Sequence, residues 1–197
     1  MQGKGKMRIV SGRWKGKALV APDGEATRPT ADRARQAIFN VLEHAPWSQG
    51  VLGTKVLDLF AGTGALGLEA LSRGADFCLF IDQAPAARAA LMGNVEACAA
   101  QGMSRIWKRD AGDLGPLPPS ANGPFDLVFI DPPYGKGLER AALSSLTQGW
   151  LATRACVIVE RGRGETTLDP AHIDPRYRLH DSRTYGAADI LMIEWTG

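Results

Sequence analysis

The chain has 197 residues, 45% hydrophobic and 22% charged. That is long enough for one α/β domain with a modest appendage, and apolar enough to bury a sizeable core. No apolar run approaches the roughly 18 residues of a membrane-crossing helix. Lys4 and Lys6 are followed by no apolar stretch of the kind that makes a secretory signal, so residues 1–6 read as a mobile leader or as a non-native extension from an upstream start. Cys78, Cys98 and Cys156 are widely spaced and form no CxxC pair, and His44, His172 and His180 are equally scattered. This pattern points to buried free thiols in a reducing cytoplasm and offers no ligand set for a metal such as zinc.

The formal net charge of +2 is unevenly spread. Residues 1–44 hold nine Lys/Arg and four acids, a balance of +5 that leaves −3 on the remainder. A basic arm on a slightly acidic body suits a polyanion reached through the N-terminus; a solvated arm that only keeps the protein soluble would carry the same charges.

Taken in chain order, residues 8–10 and 18–20 are short β-prone stretches bracketing Ser11-Gly12 and Lys15-Gly16, the pattern of a small hairpin. Thr30 is placed to cap a helix over residues 31–42. Ala34, Ile38, Val41 and Leu42 form its buried stripe, and Arg33, Gln36 and Asn40 gather opposite, as a solvated surface or one wall of a site. From Lys55 the pattern alternates: strands over 56–60, 77–81, 104–108, 125–130 and 155–160, helices over 65–73, 84–100 and 138–149, and a Gly/Pro-rich stretch over 112–124. Residues 176–184 and 189–195 then read as two strands turning at Tyr185-Gly186. Strand–helix alternation predicts a parallel sheet with helices on both faces, and so short a final connection makes the last pair antiparallel. The expectation is an α/β fold: a mostly parallel seven-stranded sheet closed by a C-terminal antiparallel hairpin, behind a small N-terminal hairpin and helix. Residues 1–44 are the extension and 45–197 the main domain.

Residues 57–67 join the first of these strands to its helix. Gly62, Gly64 and Gly67 satisfy GxGxxG, with Asp82 at the end of the next strand. Glycines permit the turn and let a ligand approach the backbone, and the acid can hold a ribose hydroxyl pair. This alone also fits NAD or FAD. Asp58 ends the first strand, where a carboxylate facing the ligand would repel a pyrophosphate but accept hydrogen bonds from an ammonium group. S-adenosyl-L-methionine has a ribose and an adenine, no phosphate, and positive charge at sulfonium and ammonium. Asp58 ordering the glycine turn is the plainer role, and the two can coexist. The loop residues Phe60, Ala61, Gly62, Thr63 and Gly64 are candidate cofactor contacts. So are Asp110 and Ala111 after the third strand, where a carboxylate can accept from the adenine amine.

The most specific signal is the apolar strand 125–130 running into Asp131-Pro132-Pro133-Tyr134. The nitrogen of an exocyclic base amine is a poor nucleophile because its lone pair is delocalised into the ring. Accepting its two protons at the Asp131 carboxylate and the Pro132 carbonyl would localise that pair and aim it at a sulfonium methyl. Prolines fix φ and withdraw amide donors, so the turn presents carbonyls, and Tyr134 offers a face for an extruded base. Asp131 would border the cofactor as well. Neither metal nor covalent enzyme intermediate is needed; positioning would supply most of the acceleration.

With these residues the chain resembles the RsmD family of bacterial methyltransferases. The likeness runs over residues 8–16 (Arg8 to Gly16), the Arg28-Pro29-Thr30 segment through Arg35, Phe39-Asn40, residues 58–70 and the Asp131 tetrapeptide. The resemblance implies a Rossmann-like class I methyltransferase fold and transfer from S-adenosyl-L-methionine to the N2 amine of a guanine in 16S ribosomal RNA, guanine 966. It also implies a cytoplasmic enzyme, expected to be a monomer, working on an assembled or assembling small subunit. Asp-Pro-Pro occurs in adenine-N6, cytosine-N4 and guanine-N2 enzymes, so the base rests on the resemblance, and an adenine or a protein glutamine is the alternative acceptor. Asp82 and Tyr134 stand where related enzymes often have Glu and Phe. Arg8, Arg13, Lys15 and Lys17 of the hairpin, interleaved with Trp14, are the expected RNA contacts. Arg28 and Arg33, also expected RNA contacts, belong nearer the active site, where they would fix the target nucleotide or the cofactor.

Overall fold

The computed structural model describes residues 7–21 and 29–197; the proposed leader and Arg28 lie outside them. The elements are helix α1 (Pro29–His44), strand β1 (Lys55–Leu59), helix α2 (Ala65–Ser72), strand β2 (Phe77–Ile81), helix α3 (Pro85–Ala97), strand β3 (Ser104–Trp107), strand β4 (Phe125–Ile130), helix α4 (Leu138–Leu146), and strands β5 (Leu151–Gly162), β6 (Tyr177–Tyr185) and β7 (Ala188–Trp195). One seven-stranded sheet has the order β3-β2-β1-β4-β5-β7-β6. Its first five strands pair in parallel, and β7 pairs antiparallel with both β5 and β6.

Alternate residues of each strand feed two cores, as the pleat requires. Val56, Phe80, Phe129, Ile158 and Met192 point to the face covered by α1, α2, α3 and the arm residues Ile9 and Leu19. Leu57, Leu79, Val128, Val157 and Ile193 point to the other, covered by α4 and Trp150. Cys78, Cys98 and Cys156 are buried free thiols.

Several boundaries and faces differ from the expectation. Helix α1 starts at Pro29, ahead of the expected start after Thr30, and the fixed φ of a proline suits a first turn. Ala34, Ile38 and Leu42 are buried as expected, Val41 only partly, and Phe39 and Arg35 join the interior. The expected arm strands shrink to a single antiparallel bridge between Arg8 and Ala18. The third helix ends at Ala97, before Ala99 turns to a φ of 50°. β5 begins at Leu151, opposite Phe125.

The arm is fastened to α2 by buried polar groups. Glu69 has no exposed surface, yet one carboxylate oxygen accepts the Val10 amide at 2.7 Å and the other the Ser11 amide at 2.9 Å. Arg73 Nε donates to it at 2.8 Å, and Arg35 Nε lies 3.7 Å away. Arg35 also donates to the Arg8 carbonyl at 2.6 Å and to Asp32 at 2.7 Å. One turn on, the Ser72 hydroxyl donates to the Ser11 carbonyl at 2.6 Å and accepts the Trp14 amide at 3.0 Å. The arm lies so close that a Cβ on Gly12 would stand 2.0 Å from the Ser72 carbonyl oxygen. On α3, Asn94 accepts from the Val20 amide at 2.8 Å, and its own amide donates to the carbonyls of Val20 and Thr63, each at 2.9 Å.

Removing one member of a buried charged set leaves the others unpaired, at about 3–5 kcal/mol. Glu69→Ala is therefore expected to lower stability by that amount in urea unfolding, with hydrogen exchange at the Val10 and Ser11 amides accelerated. A loss below about 1 kcal/mol would show that the arm is held by its apolar contacts alone.

Candidate active site

The site is assembled where β1, β2 and β4 end together. The β1–β2 ladder closes on Leu59↔Ile81 and the β1–β4 ladder on Leu59↔Ile130. The glycine loop leaves β1 through Phe60, which takes a φ of 58°, a region that a bulky side chain adopts only when its surroundings hold it there. Phe60 and Gly62 are partly exposed, whereas Ala61, Thr63 and Gly64 are buried. Gly67 answers a packing need: a Cβ there would lie 2.3 Å from Phe80 Cε1 and 2.6 Å from Cys78 Sγ. The third glycine of the pattern thus lets α2 lie against β2.

Asp82, half-buried at the end of β2, accepts the Gly62 amide at 2.9 Å on one oxygen and the Ala84 amide at 2.8 Å on the other. It ties the glycine loop to the neighbouring strand. Asp110 is exposed and accepts the Gly112 amide at 2.8 Å, the local turn-capping geometry. Ala111 packs into the second core, so its backbone is what remains to meet a ligand.

Asp58 is placed in the plainer of its two expected roles, ordering the glycine turn, and not facing a ligand. It is 2% exposed, and its Oδ2 accepts the Gly67 amide at 2.9 Å. The reason is strand parity: Asp58 lies two residues after Val56 and shares its face, so it points under α2 rather than out of the strand end. Its visible work is to order the glycine turn. Electrostatic exclusion of a pyrophosphate cannot rest on it; the partly exposed acids around the crevice, Asp82 and Asp131, are the better basis.

The Asp-Pro-Pro-Tyr turn is tethered to β1, the Asp131 amide donating to the Leu59 carbonyl at 3.4 Å. Asp131 is partly exposed, Pro132 buried, and Tyr134 is 45% exposed. Two carboxylates that the sequence reading did not single out hold the turn against β5. The Tyr134 hydroxyl donates to Glu160, and the Gly135 amide donates to Glu165 Oε1 at 2.7 Å. Arg161, buried at the end of β5, pairs with Glu139 at 3.0 Å and Glu165 at 3.5 Å. Glu160 could have been found from the sequence: it follows the apolar run 155–159 just as Asp131 and Asp82 follow theirs.

Of the expected RNA contacts, Arg8, Lys15 and Arg33 come together. With Asp32, Gln36 and Asn40 they line a groove of about 540 Å³ between the arm and α1, so the polar stripe of the helix is one wall of a cavity. Arg13 lies instead 5.4 Å from the Trp14 ring centre. Lys17 donates to the Ala97 carbonyl at the end of α3, where a cation offsets the helix dipole.

An open, mostly parallel sheet with a glycine loop on its first strand and Asp-Pro-Pro-Tyr on its fourth defines a Rossmann-like class I methyltransferase, the class that uses S-adenosylmethionine. A family model described as conserved hypothetical protein 95 matches residues 7–194. The chain is 38% identical over 159 residues to ribosomal RNA small subunit methyltransferase D of Escherichia coli strain K12, covering 80% of this chain and 76% of that protein. It is 34% identical over 171 residues to the protein of the same name from Haemophilus influenzae, covering 85% and 84%. The solved structure of Escherichia coli yhhF superposes with a TM-score of 0.79 at 32% identity, covering 98% of this chain and 99% of that one. The chain belongs to the RsmD family.

Burial raises the Asp58 carboxyl from its ordinary 3.8 to about 8; the Gly67 bond opposes the rise and nearby Asp82 adds to it. The folded protein therefore keeps a proton that the unfolded chain releases, so stability falls as pH climbs from about 4 to about 8. Asp58→Asn keeps an oxygen for the Gly67 amide and has no proton to lose. Urea unfolding should show the wild type losing up to about 1.4 kcal/mol per pH unit more than the variant over that window. Parallel profiles would contradict a buried, protonated Asp58.

Proposed function

We propose that this enzyme transfers the methyl group of S-adenosylmethionine to the N2 amine of a guanine in 16S ribosomal RNA, guanine 966 by the family resemblance, within an assembled or assembling small subunit. The observation that carries the reading is the tether between strand ends. Asp131 leaves β4 beside Leu59, immediately before the glycine loop, in a chain whose relatives are named as small-subunit RNA methyltransferases.

The residues fit the cofactor. Asp82 and Asp131 are partly exposed carboxylates flanking a glycine loop, a donor set suited to a cationic ligand without phosphate. Phe60–Gly64 would cradle it, Asp82 would accept from the ribose hydroxyls, and Asp110 with the Ala111 backbone would meet the adenine. S-adenosylmethionine supplies an electrophilic methyl group there. The Asp131 carboxylate and Pro132 carbonyl accept the two amine hydrogens and keep the nitrogen lone pair out of the ring. Tyr134 stacks on the extruded base. The proton released after transfer leaves through Asp131 or directly to water, so Asp131 acts by orientation and need not store it.

Residues 45–197 carry this chemistry, and the arm within 1–44 docks the RNA. The groove formed by Arg8, Lys15 and Arg33 is the docking element best supported, because three cations converge there against one acid, Asp32, beside the hydrogen-bonding side chains of Gln36 and Asn40. Lys17, engaged on α3, contributes less than its charge suggests.

Asp131→Ala should cut the single-turnover rate on small subunits from cells lacking the enzyme by about 10²–10³-fold, with cofactor affinity by calorimetry nearly unchanged. Asp131→Asn, which keeps an accepting oxygen, should retain part of the activity. Near wild-type turnover in Asp131→Ala would remove the role assigned to this residue. Methylation found by mass mapping on adenine N6 or on a protein glutamine would replace the acceptor.

Replacing Arg8, Lys15 and Arg33 together by Ala should weaken subunit binding and make the slope of log affinity against log salt shallower by roughly 2–3. An unchanged slope would place the RNA elsewhere.

A further inference from the structure

The tetrapeptide explains how an amine is activated and leaves open how guanine is chosen. Asp131 and the Pro132 carbonyl can hold the amine of adenine as readily as that of guanine. The discriminating group must lie one position further along the base edge, at N1, which carries a hydrogen in guanine and a lone pair in adenine.

Glu160 stands at that position. The β4–β5 ladder pairs Ile130 with Val159 as its last rung, so Asp131, just past the end of β4, stands level with Glu160 of β5, which runs on beside β7 to Gly162. Neighbouring strands run about 4.8 Å apart, close to the width of one base edge. β5 lies on the far side of β4 from β1 and β2, so Glu160 is displaced away from the glycine loop, towards the side left for the methyl acceptor. The Tyr134 hydroxyl donates to Glu160 Oε1, which ties the stacking ring to this carboxylate. A carboxylate has about four lone-pair positions, and the tyrosine takes one of them. Burial pushes the Glu160 carboxyl above its ordinary range while the Tyr134 bond pulls it down, as for an acid set into a site rather than rinsed by water.

We propose that Glu160 is the residue that selects guanine, accepting the N1 hydrogen while Asp131 and Pro132 hold the N2 hydrogens. The inference rests on the guanine-N2 reading above and assigns its specificity. A base with a lone pair at N1 would face a carboxylate lone pair and be rejected, as sites built around a hydrogen bond reject ligands that lack it.

The test compares small subunits whose target base is guanine or 2-aminopurine, introduced by RNA ligation. 2-Aminopurine keeps the 2-amine and has a lone pair at N1. Wild-type enzyme should methylate guanine faster by about 10- to 100-fold, the range of a hydrogen bond to a charged group. Glu160→Gln can donate to N1 of 2-aminopurine and should narrow that ratio to within a few-fold. Glu160→Asp, which withdraws the carboxylate by one methylene, should narrow it by lowering the guanine rate. Tyr134→Phe breaks the hydroxyl bond but keeps the acceptor, so the ratio should stand even as both rates fall. If Glu160→Gln and Tyr134→Phe alike lower both rates and leave the ratio unmoved, Glu160 only positions Tyr134 and the proposal fails. Wild-type enzyme that leaves guanine N2 unmodified defeats the functional reading itself, a different result from an unmoved ratio.

Discussion

A carboxylate sealed from water needs hydrogen-bond donors and positive charge around it, and Glu69 finds them in three separate pieces of chain. Its oxygens accept the Val10 and Ser11 amides of the arm, and Arg73, just past the end of α2, and Arg35 of α1 supply the positive charge around it. An ionised side chain without such partners would not stay buried. The arrangement works in both directions. The arm, with only one bridge of its own between Arg8 and Ala18, has little internal structure to define it and takes its conformation from α2. The helix pair in turn gains a cover over Ile38 and Phe39. The same α2 begins at the glycine loop, so one short helix positions cofactor-type backbone at its start and the basic arm along its side.

The active-site geometry depends on a second economy, the shared level at which strands end. β1, β2 and β4 finish beside one another, each followed by an acid or by the glycine loop, and Glu160 of β5, a strand that runs on to Gly162, stands level with Asp131. Asp82 reaches sideways to the Gly62 amide, the Asp131 amide reaches sideways to Leu59, and Glu160 receives Tyr134. These lateral links make a row of loops into one rim. Positioning of this kind is what a reaction without covalent intermediates requires.

Much of this was legible in the sequence. The strands are continuous apolar runs ending in turns, and the glycine spacing and the Asp-Pro-Pro-Tyr element announce their places along the sheet. What escaped depended on neighbours far along the chain. Phe39 and Arg35 are buried because the arm covers a flank of α1, which a helical projection treats as open. Lys17 reads as a free cation, but its acceptor is the Ala97 carbonyl, 80 residues on. β5 starts early because Leu151 finds Phe125 across a register shift, ahead of Arg154 at a φ of 62°; such an irregular stretch has no period to read. Asp58 was misdirected by proximity: the end of a strand is near the ligand, but the pleat decides which way a side chain leaves it.

Asn94 joins two regions that the sequence keeps apart. Its amide nitrogen donates to Val20, the far end of the arm, and to Thr63, inside the glycine loop, at the same 2.9 Å. One planar group therefore spans the basic arm and the glycine loop. A movement of either carbonyl tilts the plane and disturbs its bond to the other. Linkage is reciprocal: if RNA seated on the arm alters the free energy of the loop, a filled loop alters the affinity of the arm by the same factor. On the docking and cofactor roles proposed above, a single asparagine would give the fold a means of registering joint occupancy before any bond is made or broken.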